Sequence, residues 1–72
     1  MTHPNADAIT VGKRLRELRG IRTRKGVSRE LGIPYSSLQA YEEGWRNPSE
    51  NVKELLAGYY GVSKELIFYT NE

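Results

Sequence analysis

No cysteine occurs among the 72 residues, so the chain has neither a disulfide framework nor a thiolate zinc site. Its single histidine, His3, stands near the N-terminus without a second histidine or a clustered acid beside it, so no metal or catalytic role is expected of it. No apolar run approaches the ~18 residues needed to span a bilayer, and no signal-peptide pattern opens the chain. A soluble cytoplasmic protein is the expectation. Also missing are a nucleophile–base pair, a metal-ligand cluster and a phosphate-cradling loop, since the seven glycines are scattered between helical segments. An enzyme is not expected, nor is a cofactor or a small-molecule substrate. With 38% apolar residues, roughly twenty side chains can fill a core. That suits several short packed helices and is too few to wall an active-site cleft.

What is present is a lopsided charge. Between Lys13 and Arg29 eight basic side chains stand against the single acid Glu17, a net +7, although the whole chain carries only +2. The rest of the chain is acidic. Such asymmetry within one small domain points to an anionic partner for one face, against the plainer reading of a solvated helix surface.

Helical signals follow one another at short intervals. Residues 1–8 show no periodicity and read as a flexible tail, residues 9–69 as one domain, and residues 70–72 as a C-terminal tail. Val11, Leu15 and Leu18 form the stripe of a first amphipathic helix that ends near Gly20. Thr23 caps a second helix carrying Val27 and Leu31, which Gly32 stops. After Ile33 and Pro34 a third helix runs from Tyr35 to about Glu43 with Leu38 and Tyr41 inward, ending at Gly44. Asn47 is expected to cap a fourth helix with Pro48 at its first position and Val52, Leu55, Leu56 and Tyr59 inward. Ser63 caps a short fifth helix. An all-α, compact five-helix bundle is predicted.

Residues 24–41 satisfy the demands of a helix-turn-helix. Val27 and Leu31 supply apolar contacts on successive turns, Ser28 is small where a second helix would cross, Gly32 tolerates the turn, and Leu38 and Tyr41 anchor the second helix. Together with Val11-Gly-Lys-Arg-Leu-Arg-Glu-Leu-Arg19, Tyr41-Glu-Glu-Gly44, Arg46-Asn-Pro48 and Gly61-Val-Ser63, this stretch resembles the Cro/phage-repressor (xenobiotic-response-element-like) helix-turn-helix family over residues 9–68. The resemblance implies a phage or bacterial regulator of transcription. It would bind double-stranded operator DNA, usually as a dimer, with its third helix in the major groove.

The resemblance also assigns roles. Tyr35, Ser36, Gln39 and Ala40 match the family's base-reading positions: Gln39 can pair with adenine, Ser36 can donate or accept, and Ala40 can meet only a thymine methyl. Arg24 stands where the family usually has glutamine and is expected on phosphate, as are Ser37, Arg46 and Asn47, with a capping role in the following loop the other reading for Arg46. Glu42 matches a glutamate that pairs with a first-helix arginine, here Arg19, as a structural ion pair. Glu43 lies where phosphates would approach and would repel them, and Pro34 removes a side-chain cap.

A second function class uses the same fold differently, as a protein-binding modulator of a larger repressor. The lightly armed third helix and Glu43 favour it, with Trp45, Tyr60, Ile67, Phe68 and Tyr69 as the candidate protein interface. Trp45 has a competing reading as a packing lid, and Ile67 and Phe68 as core. Pairing with a second copy through the last helix, or with a larger repressor, is expected because little chain lies outside the helix-turn-helix domain.

Overall fold

The computed structural model describes residues 6–70, and each helix starts where a short polar side chain or an extended residue turns the chain into it. His3 lies outside the described residues, as do residues 1–5 of the expected N-terminal tail and residues 71–72 of the C-terminal one. Asp7 accepts the Thr10 amide at 2.8 Å and begins α1 (Ala8–Arg19), a bond that holds its carboxyl below the usual range. Thr23 accepts the Gly26 amide at 3.0 Å and begins α2 (Arg24–Leu31). Gly32 ends α2 at φ 72°, a left-handed conformation that a Cβ would strain, and the Ile33 amide reaches back to the Ser28 carbonyl at 3.1 Å. Pro34 then leads into α3 (Tyr35–Glu42) without a side-chain cap bond. Next come α4 (Glu50–Tyr60) and α5 (Lys64–Phe68), and these five helices form an all-α bundle.

Helix α1 packs on α3 and α5, α2 on α3 and α4, and α4 on α5. Val11, Leu15, Val27, Leu38, Tyr41, Leu56, Ala57, Ile67 and Phe68 make the buried core, joined by Ala6. Among the described residues, no helix is long and apolar enough to cross a membrane.

Two boundaries and one inward residue differ from the sequence reading. Residues 6–8, assigned to the tail, are tied into the domain: the buried Ala6 donates its amide to the Phe68 carbonyl at 2.9 Å, Asp7 is a cap, and α1 starts at Ala8. The cap of α4 is Ser49, not Asn47. Its backbone is extended and its hydroxyl accepts the Val52 amide at 3.4 Å, while Pro48 is buried just outside the helix. Leu55 does not point inward and is 44% exposed. On another side of α4 the stem of Lys53 is buried instead, its ammonium over the Phe68 and Tyr69 rings and bonded to Glu50 at 3.3 Å.

Candidate nucleic-acid interface

The α2–α3 unit is fixed from behind by Glu42, the last residue of α3. Its side chain is fully buried and accepts from Arg19 Nε at 2.9 and 3.1 Å and from Arg24 Nε at 2.8 Å. Arg16 of α1 donates to the Glu42 backbone carbonyl. Gly12 lets α1 come this close, because a Cβ there would collide with the same carbonyl group, 2.8 Å from its carbon. One residue thus joins three helices, and the carboxylate is satisfied by charge-assisted bonds as a buried charge must be.

Arg24 is drawn into this arrangement, with 16% of its side-chain surface left exposed. Beyond Glu42 it bonds Glu43 at 3.2 Å and lies 6.0 Å over the Tyr35 ring. Its guanidinium is held more firmly protonated, chiefly by the bond to Glu42. In the folded chain the arginine expected on phosphate cross-links α2 to the end of α3. It also neutralises Glu43, the acid expected to repel DNA. Arg19, Arg24, Glu42 and Glu43 together sum to zero charge.

The outward side of α3 is less engaged. Tyr35 is 47% exposed and Ser36 is exposed, while Gln39, Ala40 and Ser37 are half-buried. The side chains of Ser36 and Gln39 have no hydrogen-bond partner among the described residues. The exposed Arg46 donates to the Ser37 hydroxyl at 3.1 Å and stacks 5.3 Å from the Tyr41 ring centre, which pins the loop after α3 to that helix. Asn47 is exposed beside it.

The basic segment divides into two groups. Arg14 donates to the carbonyls of Ile67 and Tyr69 at 3.1 and 2.9 Å, Arg19 also caps the Arg22 carbonyl, and Arg22 lies over the Tyr59 ring. With Arg16 and Arg24, five of the eight cations are used within the fold. Lys13, Lys25 and Arg29 are exposed and make no ion pair or side-chain hydrogen bond within the described residues. Lys25 and Arg29 share one face of α2 at i, i+4 spacing. The sequence reading included both in the basic segment but assigned them no site. Their signal was negative: no acid stands at a spacing that would claim them.

The expected protein interface is redistributed. Ile67 and Phe68 are 0% and 1% exposed, so both are core and not interface, because α5 turns that face onto α1 and α4. Tyr60 is half-buried, its hydroxyl enclosed without a hydrogen-bond partner among the described residues and pushed up to about 12 by that burial. Tyr69 is half-buried over Lys53. Trp45 is 69% exposed and does not act as a lid. On α5 the exposed apolar residue is Leu66, which lines a groove with Arg14, Glu17 and Leu18 of α1. No group of three or more histidines, cysteines or acids able to hold a metal occurs among the described residues.

Comparison with known proteins agrees with this architecture. A family model described as a helix-turn-helix domain matches residues 11–67. Among solved structures, the chain is similar to the restriction-modification controller protein C.AhdI from Aeromonas hydrophila, with a TM-score of 0.75 and 27% sequence identity over 85% of this chain and 96% of that one. No curated protein matches.

Proposed function

The chain belongs to the helix-turn-helix domain family, and from that premise we propose that it is a phage or bacterial transcriptional regulator that occupies operator DNA with α3 in the major groove. The observation that carries this reading is the pair Ser36 and Gln39, polar, turned away from the core and unpartnered within the described chain, on a helix braced by the buried Glu42. Bonding groups left open on a rigid helix are what direct base readout requires. Gln39 and Ser36 read base edges, with Tyr35 and Ala40 completing the contact. Ser37, Arg46 and Asn47, together with Lys25 and Arg29, serve the phosphates. The similarity to a restriction-modification controller makes control of such a gene set the favoured setting. The protein acts in the cytoplasm, at the nucleoid when bound.

A homodimer follows from the same reading, since about five phosphate contacts per copy, only three of them from cations, bind weakly. It pairs through α5, with Leu66 in place of the buried Ile67 and Phe68, against the α1 groove at Leu18. The test is a fluorescence-anisotropy titration of operator and random duplexes across salt concentrations. Binding is expected to weaken along a log–log slope of about −0.9 per phosphate neutralised. No binding to either duplex at low salt would end the proposal. Sedimentation that finds only monomer at micromolar concentration would remove the dimer.

A further inference from the structure

Three glycines lie within helices of this chain: Gly12 in α1, Gly26 in α2 and Gly58 in α4. Glycine is disfavoured against alanine at such positions, so each raises the question of what requires the missing Cβ. Two have answers inside the molecule. At Gly12 the α3 backbone fills the space, and at Gly26 the capping Thr23 hydroxyl would lie 2.9 Å from a Cβ. Gly58 has none, because nothing comes within 4 Å of the position its Cβ would take.

Gly58 is part of a groove between α2 and α4, lined also by Leu31, Leu55, Tyr59, Glu30 and Glu54. Leu55, one turn before Gly58, is 44% exposed. The groove therefore offers outward what Gly12 offers to α3, an apolar strip with a bare stretch of helix backbone. Its edges are acidic. Glu30 and Glu54 line it from the two helices with no cation among the lining residues; Lys64 lies 3.9 Å from Glu54 and Arg22 over Tyr59 at its margin. Glu30 also accepts the Tyr59 hydroxyl, which fixes one wall.

We propose that this groove seats a helix of a protein partner, which crosses α4 at Gly58 with apolar residues on Leu31 and Leu55 and lysines or arginines against Glu30 and Glu54. A small residue at the crossing point allows close helix approach, and the acidic edges select a basic occupant. A second copy joined face to face here would set Glu30 and Glu54 against their equivalents, like charge on like charge. The site lies apart from the outward residues of α3 and holds whether or not they read DNA.

The test uses the full chain, isotope-labelled for amide NMR. The probe is a synthetic peptide of ~18 residues, long enough to be helical, with leucines at i, i+4 and i+7 and lysines beside them. The control peptide carries glutamates in place of the lysines. Saturable shifts at Leu31, Leu55, Gly58 and Tyr59 with the lysine peptide alone are expected. Gly58→Leu and the double variant Glu30→Gln/Glu54→Gln should each weaken binding about 10-fold. Gly58→Ala should raise Tm by roughly 4–8 °C through helix propensity while weakening the peptide, opposite signs that a purely structural glycine would not give. The proposal is overturned by absent shifts, by equal shifts with the glutamate peptide, by Gly58→Ala binding undiminished, or by groove amides that move with protein concentration alone, the mark of a second copy.

Discussion

Replacing Glu42 with alanine tests whether the charge hub holds the helix-turn-helix unit together. The carboxylate is fully buried, and its partners Arg19 and Arg24 keep only 19% and 16% of their side-chain surface exposed. Removing it strands two guanidinium groups beside an apolar core and deletes three charge-assisted contacts. Breaking a buried pair in this way costs about 3–5 kcal/mol. The lower half of that range applies here, because both arginine tips lie near enough to solvent to swing outward. A domain of this length has about 4–11 kcal/mol in total, at ~0.05–0.15 kcal/mol per residue. The variant should therefore lose much of its stability. Urea denaturation followed by far-UV circular dichroism, with m near ~1 kcal/mol/M, should show the midpoint falling by about 3 M. Glu42→Gln keeps the shape and should fall between variant and parent. The double variant with Arg24→Ala should be less destabilised than the sum of the singles. A loss below ~1 kcal/mol, or additivity within ~0.5 kcal/mol, would refute the claim that this pairing braces α3.

Other substitutions probe separate parts of the argument. Gly12→Ala places a Cβ against the α3 backbone carbonyls of Glu42 and Tyr41, which cannot rotate aside, so thermal melts should show a loss of about 1–3 kcal/mol despite the gain in helix propensity. Tyr60→Phe removes a buried hydroxyl without a partner and should stabilise by about 1 kcal/mol. In the parent, Tyr60 ionises at about 12 when folded against 10.0 otherwise, so its contribution is present below pH 10 and lost as pH rises toward 12. Alkaline melts of Tyr60→Phe should lack that component. Lys25→Gln with Arg29→Gln should reduce the salt slope of DNA binding by up to about 1.8 while stability stays within ~0.5 kcal/mol. Arg24→Gln should do the reverse, and if it alone flattened the slope at unchanged stability, Arg24 would be a phosphate contact after all.

The sequence carried the helices because their signals are local. Thr23 and Gly32 act within one turn of their own position, and the stripe of Val11, Leu15 and Leu18 needs no knowledge of what it faces. Asn47 misled for the same reason, since two residues in one stretch, Asn47 and Ser49, both suit a cap and only the path of the loop decides between them. The outward side of α3 was placed by resemblance and periodicity together. What stayed hidden depends on which cations find partners across the fold. Arg24 lies eighteen positions from Glu42, and Arg14 reaches carbonyls of Ile67 and Tyr69 at the far end of the chain. On α5, five residues are too few for periodicity to say that Leu66, and not Ile67 or Phe68, faces out.

That partition changes what the basic segment means. A net +7 over residues 13–29 suggests a strong electrostatic grip, yet five of its eight cations are engaged with carbonyls, a buried carboxylate or an aromatic ring. A cation already satisfied in the folded chain must break those bonds to meet a phosphate, so it adds little net attraction. The cations free to do so are Lys13, Lys25 and Arg29, with the half-engaged Arg46 beside α3. In the proposed reading, affinity from so few contacts is modest for one copy, and base discrimination from Ser36 and Gln39 would cover few positions. Linking two such domains makes the second binding event intramolecular, which multiplies affinity without adding a contact. In that reading the arginines bonded to Glu42 serve by bracing α3, and the pairing of two copies would supply the affinity that the few free cations do not.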